Sequence, residues 1–252
     1  MSTNYQLTVF ALLSGQQQVD EGVYVIQDTT IGISHEYGLL AMAKSNPVVD
    51  GSAASKTVEI LLDDMDTNLS ATQTGIGRAS PNTFVKQCVQ ESLDNINEFL
   101  HFQLSKIQMT AQDAHTSLAT IQYFEGHFGY IVMAGFSCLL FRRDELTVLS
   151  SSSKESTYLL GEKPAFGGLV QSKQVRQGDI IVMAQTDDID TIGVDYLRTT
   201  LSRFPDSIDM ALRQIKTRAS RKYASREPSI IMARVDTLVV KKRGWLNKLR
   251  NQ

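Results

Sequence analysis

The order in which strand-like and helix-like patterns follow one another most constrains the fold of this chain. Residues 7–33 hold short apolar runs rich in β-branched and aromatic residues, which are typical of strands. Over 52–100 apolar residues recur every three or four positions, as on amphipathic helices. Strand-like runs return over 118–149, and a helical pattern at 208–223 follows later. Strands in groups followed by helices in groups predict an α+β layered fold rather than alternating parallel βαβ units.

The individual elements are bounded by turn signals that contain Gly, Pro and Ser. In chain order we predict strands at 7–12, 22–26 and 30–33, helices over 52–62 and 84–100, strands at 118–123, 128–134, 138–141, 147–149 and 180–184, a helix over 208–223, and a last strand pair at 230–235 and 238–240.

Length and composition are compatible with one large domain. The 252 residues are 42% hydrophobic, enough for a sizeable core. We expect a domain over 1–240 and a basic tail over 241–252. The chain has neither a long uninterrupted apolar run nor a signal-peptide pattern at its start, so we expect a cytoplasmic protein. Cys88 and Cys138 have apolar neighbours and lack metal-ligand spacing, which predicts buried thiols.

Positive charge is concentrated at the carboxy end. Residues 1–212 carry 13 basic and 25 acidic side chains, whereas 213–252 carry 12 basic and 2 acidic ones. This region could contact an acidic protein or an anionic membrane surface. A solvated helix face followed by a terminal tail explains the same pattern. Nucleic acid is the weakest alternative, because no recognisable reading element is present.

Several blocks of the chain, in one order and at matching spacing, resemble a known family. Residues 115–120 and 128–143 resemble a small-Thr-Thr strand start that leads through a hairpin to a Gly-Asp-Ser-Arg strand. Residues 178–188 resemble a Gly-Asp turn, an apolar strand and a Ser-Asp-Gly element. The resemblance is to the metal-dependent protein phosphatase 2C family and extends to about Val240. It implies a four-layer αββα sandwich, with two antiparallel sheets flanked by helices.

The resemblance also implies where catalytic groups should stand. Hydrolysis of a phosphomonoester by two divalent cations needs several hard carboxylate ligands and a positive charge near the phosphate. The family's first group, an Arg followed by Asn-Glu-Asp, matches a segment in which Gln16 replaces the Arg and Asp20 and Glu21 keep the acids. The family's bridging Asp matches His35, and Glu36 follows it.

Further along the chain, the match is also incomplete. Asp187 aligns with the metal Asp of Ser-Asp-Gly, and Asp188 takes the Gly position. Arg226 aligns with the last metal Asp, which places a cation where a metal should be held. Phe136 and Cys138 replace the Asp and the Arg of Gly-Asp-Ser-Arg. The resemblance therefore implies a degenerate two-metal site.

The remaining acids leave alternatives open. Asp20, Glu21 and Asp187 could hold one residual metal with His35, or they are ordinary strand-end and turn acids, which we favour. Arg226 could instead form an internal ion pair with Asp187.

We therefore expect a pseudophosphatase that serves as a binding or regulatory module, without a cofactor, and whose partner is a protein such as a kinase or a phosphoprotein. The alternative is a divergent, active serine/threonine phosphatase that uses Mn²⁺ or Mg²⁺.

Overall fold

The computed structural model of the chain describes residues 5–12, 22–26, 28–34, 38–45, 52–72, 80–106, 115–149, 159–222 and 228–237. Its strands are β1 (Tyr5–Leu12), β2 (Gly22–Ile26), β3 (Thr29–Ser34), β4 (Leu39–Ser45), β5 (Thr116–Phe124), β6 (His127–Val132), β7 (Phe136–Arg142), β8 (Glu145–Val148), β9 (Gln171–Gln174), β10 (Ile180–Gln185) and β11 (Ile230–Thr237). Its helices are α1 (Ser52–Thr72), α2 (Pro81–Lys106), α3 (Thr186–Ile192), α4 (Val194–Arg203) and α5 (Ile208–Lys222).

The strands form two antiparallel sheets. The first sheet has the order β1-β11-β10-β7-β8, and the second has the order β2-β3-β4-β5-β6-β9. Pairing within each sheet is antiparallel throughout the described residues.

Three apolar clusters define four layers. One cluster, which includes Ile31, Phe128 and Ile181, lies between the two sheets. A second cluster packs α1 and α2 against the second sheet, and a third packs α3, α4 and α5 against the first sheet. The predicted αββα sandwich is confirmed.

Two glycines let helices approach the second sheet closely. A Cβ on Gly32 of β3 would lie 2.4 Å from Val58 Cγ1 of α1, and one on Gly129 of β6 would lie 2.8 Å from the Val85 carbonyl oxygen of α2. Both distances are shorter than side chains tolerate, so these positions require the absence of a Cβ for the observed packing.

The long helix α2 begins with a capping serine followed by a proline. The Ser80 hydroxyl accepts a hydrogen bond from the Thr83 amide at 3.3 Å, and Pro81 occupies the first helical position. A capping serine satisfies an amide that lacks an intrahelical partner, and proline at this position loses no hydrogen bond.

Arg142 of β7 connects the two sheets at the end of the sandwich where β10 starts. Arg142 Nε and Nη2 donate to the Asp179 carboxylate at 2.8 and 2.5 Å, and Nη2 also donates to the Gln174 carbonyl of β9 at 2.9 Å. The hydrogen bonds to Asp179 raise the pKa of Arg142. Asp179, from the Gly-Asp turn seen in the sequence, thus has a structural role.

Most predicted elements are confirmed, but β4, β9, α3 and α4 were missed. The residues of β4 are buried on both faces: Leu40 and Met42 face the other sheet, and Leu39 and Ala41 face the helices. Such a strand shows no alternation of apolar and polar residues, and Leu, Ala and Met favour helices. Neither the hydrophobic pattern nor the strand propensity of its residues therefore indicated β4. The predicted strand 238–240 and the domain boundary at 240 lie outside the described residues.

In the described part of the chain, no helix combines the length and apolar character needed to cross a lipid bilayer.

Candidate functional site

Strand ends from both sheets meet at one end of the sandwich, which we call the Gln185 end. In the first sheet, Gln185 at the end of β10 pairs with Phe136 at the start of β7, and Ala184 pairs with Ile230 at the start of β11. In the second sheet, the start of β3 adjoins the end of β4, and Ser45 pairs with Thr116 at the start of β5.

The side chain of Gln185 connects the two sheets at this end. Its Nε2 donates to Thr29 Oγ1 at 2.7 Å and to Asp28 Oδ1 at 3.2 Å. Gln185 and Thr29 are both buried, whereas Asp28 lies at the surface of the β2–β3 turn. A neutral carboxamide therefore joins strand ends that belong to different sheets.

Lys44, near the end of β4, neutralises the carboxylate that Gln185 contacts. Lys44 Nζ lies 2.6 Å from Asp28 Oδ2, and the two side chains are 37% and 49% exposed. Burial alone would raise the pKa of Asp28, but the hydrogen bond and charge of Lys44, with hydrogen bonds from Gln185 and Thr29, outweigh it and lower that pKa. The carboxylate is thus ionised and paired with a cation of the protein itself.

Three pairs of hydroxyl groups also lie in contact at the Gln185 end among the described residues. The hydroxyl pairs are Ser45 with Thr116 at 3.2 Å, Thr30 with Ser55 at 3.3 Å and Ser137 with Thr186 at 3.1 Å. These groups are weak ligands for a hard dication compared with carboxylates.

Asp187 and Asp188, from the third predicted place, lie in the first turn of α3 next to this end. Asp187 is exposed, whereas Asp188 is 1% exposed and accepts a hydrogen bond from the Ser229 amide at 3.3 Å. Asp188 therefore ties α3 to the residues that lead into β11. A metal role for Asp187 stays a prediction.

Phe136 and Cys138, the replacements in the predicted Gly-Asp-Ser-Arg strand, lie in the apolar layer between the sheets. Burial raises the pKa of the Cys138 thiol. Burial and, after it, the charge of Glu91 raise the pKa of Cys88 to about 12. Both cysteines are free and buried, as predicted, so neither thiol is suited to nucleophilic chemistry.

The other candidates, Gln16, Asp20, Glu21, His35, Glu36 and Arg226, lie outside the described residues. Their described neighbours can still be placed. Gly22 pairs with Ile33, and Ser34 pairs with Leu39, at the end of the second sheet that is farthest from Thr29. Five residues of β3 separate these ends by about 17 Å. Arg226 precedes Ser229, which lies at the Gln185 end.

The described residues do not fit a two-metal site. Within them, no group of three or more His, Cys, Asp or Glu side chains could hold a metal ion. The central carboxylate, Asp28, is occupied by an ammonium group instead. Sequence analysis missed Asp28, Lys44 and Gln185. For Lys44 a signal was available: it directly follows an apolar run, 39–43. Pro47 and Gly51 then separate it from the next helix.

The sequence matches no protein-family model and no curated protein. Solved structures, in contrast, match over nearly their whole length. PppA of Pseudomonas aeruginosa, a key regulatory component of T6SS, is 13% identical, with a TM-score of 0.65 and coverage of 94% of this chain and 99% of that one. The Mycobacterium tuberculosis serine/threonine phosphatase PstP/Ppp is 12% identical, with a TM-score of 0.63 and coverage of 92% and 99%. MsPP, a PPM Ser-Thr phosphatase from Mycobacterium smegmatis in complex with cacodylate, is also 12% identical, with a TM-score of 0.59 and coverage of 94% and 99%.

Proposed function

We propose that this chain, whose fold is that of the PPM-type, protein phosphatase 2C-like serine/threonine phosphatases, is a catalytically impaired form of that fold that acts as a cytoplasmic binding or regulatory module. The observation that carries the proposal is the contact between Lys44 Nζ and Asp28 Oδ2 at 2.6 Å. Two-metal hydrolysis needs carboxylates that are available to bind the metal ions. Here the Asp28 carboxylate is paired with the Lys44 ammonium instead.

The position of Lys44 supports this reading. The resemblance implies a bridging Asp in a turn that follows a strand, and β4 is the strand that precedes α1 in this chain. Lys44 lies at the end of that strand, so we propose that Lys44, rather than His35, stands in the bridging position. The charge at this position is then reversed, because an anion that attracts metal ions is replaced by a cation that repels them.

Electrostatics favours exclusion of a divalent ion from this place. A divalent ion at this place would meet the Lys44 ammonium together with the Asp28 carboxylate, so Lys44 largely cancels the attraction that the carboxylate alone would exert. An ion that bound Asp28 would also have to displace Lys44 from its 2.6 Å contact.

The Gln185 end does not need a metal to hold its strands together. The hydrogen bonds from Gln185 to Asp28 and Thr29 connect the two sheets, and Asp188 connects α3 to the start of β11. A scaffold whose sheets are connected without a metal can still serve as a binding surface for another protein. We propose that this partner is a kinase or a phosphoprotein.

Hydrolysis of a generic aryl phosphate in Mn²⁺ or Mg²⁺ tests the proposal. We expect no metal-dependent turnover by the wild-type protein. If turnover appears and Asp187→Asn abolishes it, while Asp190→Asn, an exposed acid on the same helix, leaves it unchanged, the chain is an active phosphatase and the proposal is wrong.

A further inference from the structure

The two outer helix layers of the sandwich carry opposite charges. On one side, residues 60–72 of α1 and 87–105 of α2 contain six carboxylates and no Lys or Arg. On the other side, α5 carries Arg213, Lys216, Arg218, Arg221 and Lys222 against a single acid, Asp209. These layers cover different sheets, so the two charged surfaces face away from each other.

Two carboxylates of the α1–α2 surface have amide partners rather than cationic ones. Asp64 accepts a hydrogen bond from Asn95 Nδ2 at 3.1 Å, and Asp94 accepts one from Gln90 Nε2 at 3.3 Å. An amide leaves the negative charge of a carboxylate in place, so this surface keeps a negative potential.

Two cations of α5, Arg218 and Lys222, are likewise held by neutral groups. Arg218 Nε donates to the Ile192 carbonyl at 2.8 Å and its guanidinium lies over the Tyr196 ring at 4.2 Å. Lys222 Nζ donates to the Thr191 carbonyl. Carbonyls and an aromatic ring orient these side chains without cancelling their charge, so α5 keeps a positive potential.

Two exposed stripes on these surfaces match in spacing. On α2 the stripe consists of Phe102, Glu98, Asn95 and Glu91, and on α5 it consists of Met210, Arg213, Thr217 and Arg221. Each stripe has a large exposed apolar residue at one end, with Phe102 55% and Met210 40% exposed. The end residues of both stripes are eleven positions apart, or about 17 Å along a helix.

We propose that α5 of one molecule docks antiparallel on α2 of a second copy of this chain. In this arrangement Met210 contacts Phe102, Arg213 faces Glu98 and Arg221 faces Glu91. A thioether against an aromatic ring supplies a small apolar contact, and the charges set the register. Because the two surfaces differ, the contact is head-to-tail and each copy keeps one free surface of each kind, so assembly continues as a chain or closes as a ring.

Sedimentation velocity over a range of concentrations tests this contact with the full chain. At about 0.01 M salt, where the screening length is about 30 Å, we expect the average mass to grow with concentration. At about 1 M salt, where the screening length is about 3 Å, we expect a monomer. A wild-type chain that stays monomeric at low salt overturns the proposal.

Charge reversal on each stripe gives a sharper test. The α2 variant, Glu91→Lys with Glu98→Lys, and the α5 variant, Arg213→Glu with Arg221→Glu, should each weaken self-association by at least about tenfold. Mixed together, they have two compatible interfaces: the unchanged α5 of one with the unchanged α2 of the other, and the two charge-reversed stripes. Mixing should therefore restore association at low salt.

The matched control reverses two exposed arginines on α4, Arg198→Glu with Arg203→Glu, and should associate like the wild type. Far-ultraviolet circular dichroism and unfolding midpoints should be unchanged in all three variants. Loss of association in the control as well, or a mixture of the two stripe variants that remains monomeric, would overturn the head-to-tail contact.

Discussion

Lys44 Nζ and Asp28 Oδ2 form a 2.6 Å ion pair between the end of β4 and the β2–β3 turn, and Gln185 of the other sheet donates to the same carboxylate. This contact places a cation of the protein at the end of the sandwich where strand ends from both sheets meet.

Stability should depend on pH through Asp28. Its pKa in the folded protein is lower than its ordinary value of 3.8. The contribution of Asp28 to stability is therefore fully present above about pH 4 and is lost as pH falls through the lowered folded pKa. We expect Asp28→Asn to remove this part of the pH dependence in urea unfolding between pH 2 and 7.

A matched control for this pH dependence is Asp195→Asn, because the Asp195 side chain is 96% exposed and lies 3.5 Å from Arg198. That variant should keep the wild-type pH profile. An Asp28→Asn profile that coincides with the wild type would show that the Lys44 contact does not stabilise the fold.

Asp179→Asn should destabilise the protein by about 3 kcal/mol in chemical unfolding at neutral pH. The Asp179 side chain is 2% exposed, and its loss of charge leaves the guanidinium of Arg142 without its partner. Arg142 is 24% exposed, so water compensates in part. Asp195→Ala, which removes an exposed ion pair, should change stability by less than about 1 kcal/mol.

Gln122→Met should stabilise the protein by about 1 kcal/mol. Gln122 is fully buried, and neither its Nε2 nor its Oε1 has a hydrogen-bond partner among the residues that the structure describes. A buried carboxamide without partners loses its hydration and gains nothing in return, whereas methionine has a similar shape and no such cost. The free energy of unfolding measures the effect, and a clear destabilisation would mean that the carboxamide is satisfied.

Gly32→Ala should destabilise the protein by about 2 kcal/mol, because the new methyl group would lie 2.4 Å from Val58 Cγ1. Val58→Ala in the same chain should recover part of this loss, since it removes the atom that clashes. A double-mutant cycle measures the coupling between the two positions. Additive effects would contradict the close approach of α1 to β3.

Sequence patterns were sufficient for the architecture because most strands are short apolar runs rich in β-branched and aromatic residues, and the long helices are amphipathic. The strand β6 is such a run, and the helix α2 combines a three- and four-residue periodicity with a capping signal, so both were predicted within a few residues. The signal was absent in β4, which contains no β-branched or aromatic residue and whose apolar residues, Leu, Ala and Met, favour helices. Short helices such as α3, with seven residues, give too few turns for a period to emerge.

The site was harder to predict than the fold, because its position depends on register. Without β4, the strand that precedes α1 could not be identified, so the bridging position was assigned to His35, and Lys44, which we propose for it, was not considered. The contacts of Asp28 and Gln185 join residues 157 positions apart and leave no local signal in the sequence. Three-dimensional closure of the two sheets brings them together.

Calorimetric titration of Mn²⁺ into the purified chain is the most direct test of the central claim, with Lys44→Asp and the exposed-surface control Lys56→Asp measured beside it. We predict no saturable binding to the wild type or to the control, and gain of binding in Lys44→Asp, where the repelling ammonium becomes a ligand. Saturable binding of two ions by the wild-type protein would contradict the account.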